Sequence, residues 1–125
     1  MAGTRQPGRN RELINVTAST TLTPFDAGKT ISNYGASGSV TITLPTATDC
    51  RPGDDIIVLG AADQDLLVAP ATSDTLIGKG DIDLDSVALS TSSEKLGGGF
   101  CFTCLGPVWH CSYWTEETQT VTAVD

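Results

Sequence analysis

The amino-acid sequence predicts an all-β domain, and three observations carry that expectation. Thr, Ser, Gly, Val and Asp dominate the 125 residues while Lys, Glu, Gln and Met are scarce, a bias toward short strands and tight turns. Turn chemistry recurs roughly every 8–12 residues, the spacing of a sandwich or barrel rather than of a fold that alternates strands with helices. Val40-Thr41-Ile42-Thr43-Leu44 alternates apolar and polar side chains without a break, as a half-buried strand requires. No segment sustains a helical period, so at most one helical turn is expected.

Along the chain, residues 1–11 hold Pro, Gly and three Arg but no apolar residue between Ala2 and Leu13 other than glycine, and are expected to form an extended arm. Strand texture begins at Leu13, with short strands over Leu13–Thr17 and Thr20–Thr23 that end in the turn Pro24-Phe25-Asp26-Ala27-Gly28. Lys29–Asn33 follows as a strand, Gly35-Ala36-Ser37-Gly38 as a turn, then Val40–Leu44, closed by Pro45. After the turn Arg51-Pro52-Gly53-Asp54, the apolar run Asp55–Leu59 suggests a strand covered on nearly both faces. Leu66–Val68, Thr75–Ile77, the alternating Asp81–Asp85 and Val87–Leu89 are further short strands. Ser90–Lys95 and Gly97-Gly98-Gly99 form a flexible connection. Phe100–Leu105 and Trp109–Trp114 make a hairpin across Gly106-Pro107, and Thr115–Asp125 is an extended tail.

The expected organisation is a basic arm over residues 1–12, a β-domain over 13–114 and a tail over 115–125. The domain is a small sandwich, jelly-roll-like or barrel-like, around one thin core, since only 39% of residues are hydrophobic and 6% aromatic. A net charge of −8 argues against a nucleic-acid surface, which needs clustered Lys and Arg. The charge is uneven. Arg5, Arg9 and Arg11 precede every acid, and from Glu12 onward four Lys or Arg stand against all fifteen acids, so the body carries −11. Such an arm suits an acidic partner surface; the plainer alternative is a solvated terminus. No apolar run approaches the ~20 residues of a membrane helix, and no secretory h-region stands at the start, so the expectation is a cytosolic origin with free thiols.

Several clusters invite chemistry. Cys101, Cys104, His110 and Cys111 are the metal-like set. In a strand, however, an offset of three puts Cys101 and Cys104 on opposite faces, and adjacent His110 and Cys111 diverge likewise. Buried thiols are favoured over zinc, a Cys104–Cys111 bridge or a Cys–His nucleophile, and Cys50 is a fourth thiol of the same plain kind. Asp81, Asp83 and Asp85 alternate as in a calcium loop, but Ser86 stands where that loop needs Gly. A solvated acidic strand face, with Ile82 and Leu84 toward the core, is preferred. Asp54/Asp55 and Glu116/Glu117 are adjacent pairs rather than facing ones, and Gly97–Gly99 lacks the Lys and helix of a phosphate loop. No catalytic residue, metal or cofactor is expected. In the last hairpin Trp109, Cys111 and Tyr113 share one face and Trp114 points the other way, which makes Trp114 a candidate contact residue, with ordinary packing under the C-terminal tail as the alternative.

One part of the sequence is familiar. Thr21-Leu22-Thr23, Asp26-Ala27-Gly28-Lys29-Thr30, Asn33-Tyr34-Gly35-Ala36-Ser37-Gly38 and Val40-Thr41-Ile42-Thr43-Leu44-Pro45 resemble a small domain of tailed-phage virion proteins, found in capsid decoration (cement) proteins and in tail- or head-fibre proteins. Pro70, Asp74-Thr75-Leu76-Ile77 and Leu105-Gly106-Pro107-Val108-Trp109 extend the likeness more loosely, over roughly residues 20–114. The arm and the cysteine cluster lie outside the pattern. The resemblance implies a non-catalytic virion protein, made in the bacterial cytoplasm, that coats the head and binds the major capsid protein. Arg5, Arg9, Arg11 and Trp114 would be its partner-binding residues. A homo-oligomer, most simply a trimer, fits a domain with so thin a core. A fibre module for host attachment is the alternative.

Overall fold

The structure is a computed structural model and describes residues 11–90, 95–115 and 119–125. Alternating side chains create two-faced strands, and these assemble into two mixed sheets packed as a sandwich. The strands are β1 (Leu13–Asn15), β2 (Thr20–Thr21), β3 (Thr30–Ser32), β4 (Val40–Thr43), β5 (Asp55–Leu59), β6 (Leu66–Ala69), β7 (Leu76–Gly78), β8 (Asp81–Leu84), β9 (Ser86–Leu89), β10 (Gly99–Cys104), β11 (Trp109–Trp114) and β12 (Thr122–Val124). The larger sheet runs β1-β3-β5-β10-β11-β7-β8 and the smaller β12-β9-β6-β4-β2. Two single 3₁₀ turns, Pro24–Asp26 and Ala47–Asp49, are the helical elements among the described residues. The all-β sandwich expected from the sequence is the observed architecture.

The order of strands has a consequence the sequence does not announce. From β1 to β6 the chain crosses from one sheet to the other at every step. β1, β3 and β5 therefore stack in parallel in the larger sheet, and β2, β4 and β6 in the smaller. This half is a three-turn coil of the kind that repeats in solenoid proteins. The second half closes with antiparallel pairs: β10 on β5, β11 on β10, β9 on β6 and β12 on β9.

The core lies between the sheets in rows set by the pairing. Ile14, Ile31, Val58 and Phe100 form one row of the larger sheet, Ile56, Phe102 and Cys111 the next, and Cys104, Trp109, Leu76 and Leu84 the third. Ile42, Val68 and Val87, with Val40, Leu66 and Leu89, face them from the smaller sheet. Apart from half-buried Ile14, all of these are buried. Phe100 and Phe102 pack with ring centroids 5.7 Å apart.

The turn residues of the familiar stretch hold this coil together. Asp26 Oδ2 accepts the Thr23 backbone N–H at 2.8 Å, and Asp26 Oδ1 accepts Lys29 Nζ at 3.0 Å. Gly28 adopts φ +85°, a left-handed conformation that suits glycine, and its N–H donates to the Asp55 carbonyl. Fully buried Asn33 uses its Oδ1 to accept the Ala61 N–H at 2.7 Å, tying the turn after β3 to the turn after β5. Trp109, also fully buried, donates its indole N–H to the Pro45 carbonyl at 2.8 Å. That bond joins the two separate halves of the familiar pattern.

Three expectations need correction. Asp55–Leu59 is covered on one face only: Ile56 and Val58 are buried while Ile57 and Leu59 are half-exposed on the outside of the sheet. Ile82 is 77% exposed, because β8 is an edge strand and a register irregularity between Leu76 and Gly78 carries its outer part past the core. Leu84 does face inward. Within the extended C-terminal stretch, Gln119 and Val121 are buried and β12 adds a strand to β9. Arg11 belongs to the body, as described below. Residues 91–94 of the expected flexible connection, and Glu116 and Glu117, lie outside the described residues.

Candidate interaction surface

Alternation along β5, β10 and β11 sends one set of side chains into the core and the other onto the outer face of the larger sheet. Register aligns this outer set in three rows. The first is Asn15, Ser32, Leu59, Gly99 and Trp114; the second is Leu13, Thr30, Ile57, Cys101 and Ser112; the third is Asp55, Thr103, His110 and Ile77. Trp114 is 42% exposed and Leu13 57%, and Ile57, Leu59, Cys101 and Ile77 are half-exposed. The result is a patch of apolar and aromatic side chains in the middle of a solvent-facing sheet, bordered by Asn15, Thr103, His110 and Ser112. An apolar centre with a polar border is the usual anatomy of a protein-binding surface.

Trp114 is fixed in this patch by its cross-strand partner. A Cβ at Gly99 would sit 2.5 Å from Trp114 Cζ2 and 2.7 Å from the Val58 carbonyl oxygen, so the indole lies directly over the glycine. A ring supported in this way loses little further freedom on binding, which favours it as a contact residue. Trp109 and Cys111 point the opposite way, into the core. Tyr113 lies on their side of the strand but is 41% exposed near its end.

Arg11 marks one border of the same face. Its Nε donates to Thr30 Oγ1 at 3.1 Å, Nη1 to Asp55 Oδ1 at 2.9 Å and Nη2 to the Lys29 carbonyl at 2.8 Å. The guanidinium is thus engaged within its own chain and clamps β3 to β5 rather than reaching outward. Arg5 and Arg9 lie outside the described residues.

The cysteines are dispersed. Cys101 is on the outer face, while Cys104 and Cys111 face the core, with Cys104 Sγ donating to the Ala47 carbonyl at 3.3 Å. All four thiols are free. Burial, reinforced by Cys101 nearby, pushes the Cys111 thiol up to about 12, so it stays protonated and a poor ligand or nucleophile. His110 sits on the outer face and Cys111 on the inner, which separates them as adjacent strand residues must be.

Carboxylates gather instead at the β8 edge. Oxygens of Asp74, Asp83 and Asp125 lie within 4.8 Å of one another, all three residues exposed. Asp85 Oδ1 accepts the Asp74 N–H at 2.8 Å, and Asp81 Oδ1 accepts the Asp83 N–H at 3.2 Å. Sequence reasoning found Asp81, Asp83 and Asp85 but missed Asp74 and Asp125, which only tertiary pairing brings to the edge. The hydrogen bond with Asp81, together with the charge of Asp125, raises Asp83 to about 6.

No protein-family model matches the sequence, and no curated protein matches it either.

Proposed function

We propose that this chain is a non-catalytic virion structural protein, a capsid decoration protein that docks on the outside of a tailed-phage head and stabilises it. The observation that carries the binding role is the outer face of the larger sheet, where Trp114 stands over Gly99 among Leu59, Ile57 and Cys101. The choice of partner rests on the resemblance of residues 20–114, whose two halves are joined by the Trp109–Pro45 hydrogen bond. Repeated around a shell, a modest contact per copy acquires a large combined effect. The parallel stacking of β1, β3, β5 and of β2, β4, β6 favours a second reading, a tail- or head-fibre module, since stacked coils suit elongated assemblies.

The test is co-sedimentation of the full chain with isolated phage heads, beside Trp114→Ala and Ser112→Arg. Ser112 is exposed on the same face, so Ser112→Arg obstructs docking without touching the core. Saturable binding at a fixed stoichiometry, weakened tenfold or more by either variant, is the expected result, a loss of about 1.4 kcal/mol or greater. Absence of binding to heads, with binding to tails or host cells, overturns the decoration reading in favour of the fibre.

A further inference from the structure

Strand register sorts the four free thiols into one pair that can meet and others that cannot. Cys104 lies opposite Trp109 and Cys111 opposite Phe102, so these two are diagonal neighbours with Cβ atoms roughly 7 Å apart. A disulfide spans only ~4 Å between Cβ atoms. Cys101 faces the other side of the sheet. Cys50 reaches Cys104 from elsewhere in the chain. The Ala47 carbonyl oxygen accepts both the Cys50 N–H at 3.0 Å and the Cys104 thiol at 3.3 Å. The Cys104 backbone is held by the same loop: its N–H donates to the Asp54 carbonyl and its carbonyl accepts the Gly53 N–H, each at 2.8 Å. The 3₁₀ turn Ala47–Asp49 before Cys50 and the turn residues after it are thus both fastened to Cys104. Cys50 is half-buried and packs on the core, while Cys104 is fully buried. Burial, and after it the nearby Cys104, raises the Cys50 thiol, which agrees with two sulfurs held close.

We infer that Cys50 and Cys104 are a reversible redox pair that a small-molecule disulfide closes into an intramolecular bridge. The thiolate of half-exposed Cys50 attacks one sulfur of the oxidant, breaks its S–S bond and expels one thiolate, leaving a mixed disulfide on Cys50. Cys104 then loses its proton, and its thiolate attacks Cys50 Sγ. The Cys50–Cys104 bond forms, the mixed bond breaks and the second thiolate leaves. Two protein thiols are oxidised to one disulfide, and the oxidant is reduced to two thiols, which take up the two protons. The closed bridge ties the loop after β4, in the smaller sheet, to the end of β10, in the larger. It stabilises the fold by restricting the unfolded chain.

This inference does not depend on binding to heads or on the outer face of the larger sheet. Its test uses the full chain carrying Cys101→Ser, which removes the half-exposed thiol that would itself take up glutathione. The folded, reduced protein is exposed to glutathione disulfide at about pH 8, then its thiols are counted in denaturant and its intact mass is read. The expected result is that the three remaining thiols become one, with no glutathione retained. The melting temperature should rise by about 5 °C or more and fall back with dithiothreitol. Adding Cys50→Ser should leave both remaining thiols free. Adding Cys104→Ala instead, with native circular dichroism as a check, should stop the reaction at one glutathione held on Cys50. Thiols that all persist, a glutathione adduct on Cys50 that never resolves while Cys104 is present, or a bridge that survives Cys50→Ser overturns the inference.

Discussion

Replacing Trp109 by Phe isolates the contact that ties the last hairpin to the first half of the sandwich. Trp109 is fully buried, and its indole N–H donates to the Pro45 carbonyl at 2.8 Å in the core. Phenylalanine keeps an aromatic ring but has no donor. The Pro45 carbonyl, now buried without its partner, costs about 1–3 kcal/mol. The missing part of the indole leaves a void on the order of 40 Å³, which adds about 1 kcal/mol at the usual cost per cavity volume. The sum, about 2–4 kcal/mol, is a large share of the stability of a typical small domain. Urea unfolding followed by far-ultraviolet circular dichroism measures it, because fluorescence itself changes when a tryptophan is removed. The midpoint should fall while the slope with denaturant stays the same, since the surface exposed on unfolding hardly changes. A loss below about 1 kcal/mol would refute the reasoning, for it would mean that neither the hydrogen bond nor the packing contributes as its burial requires.

Other perturbations test other parts. Asn33→Ala leaves the Ala61 N–H without its acceptor and should cost about 1–3 kcal/mol in the same denaturant assay, loosening the tie between two coils. Gly99→Ala drives a methyl group against the Trp114 ring and the Val58 carbonyl, so the melting temperature should drop and Trp114 emission should shift to the red. Asp83 titrates higher in the folded chain, near 6 rather than 3.8, so the folded state holds its proton more tightly. This group's contribution therefore improves as pH falls from 7 toward 4. Asp83→Asn should raise the melting temperature at pH 7 and flatten its change between pH 7 and 5. Alkylation by iodoacetamide should label half-exposed Cys101 in the native protein, and buried Cys104 and Cys111 only after unfolding.

Much of the secondary structure was legible because side-chain period and turn residues act locally. Val40–Thr43 follows from strict alternation, and β11 occupies the expected Trp109–Trp114. Legibility failed where neighbours decide. The run Asp55–Leu59 looks doubly buried, yet nothing in it reveals that, among the described residues, Ile57 and Leu59 stay half-exposed on the outer face of the sheet. Asp81–Asp85 alternates like a strand with a core face, but an edge position leaves Ile82 in solvent. Arg11 resembles Arg5 and Arg9 by charge and position. Only folding brings Thr30, Asp55 and the Lys29 carbonyl to its guanidinium.

The interaction surface was half legible for the same reason. Opposite directions for Trp109 and Trp114 follow from their odd separation on one strand. That Trp114 rests on Gly99, fifteen residues earlier, depends on hairpin register, and that Leu59 and Ile57 join it depends on β5 choosing β10 as its neighbour. The familiar stretch behaved differently again. Asp26, Gly28, Asn33, Pro45 and Trp109 all serve the fold, as a turn acceptor, a left-handed turn residue, a loop tie and a buried acceptor–donor pair.

By itself, then, the amino-acid sequence determined the all-β class, most strand positions, the turns between them and the uneven charge, because each depends on near neighbours along the chain. Tertiary structure alone decided that the first six strands coil in parallel between two sheets. It alone placed five carboxylates at one edge and seated an exposed tryptophan on a glycine. Pairing direction and sheet membership are chosen by contacts between residues far apart in sequence, whose energies no local pattern records.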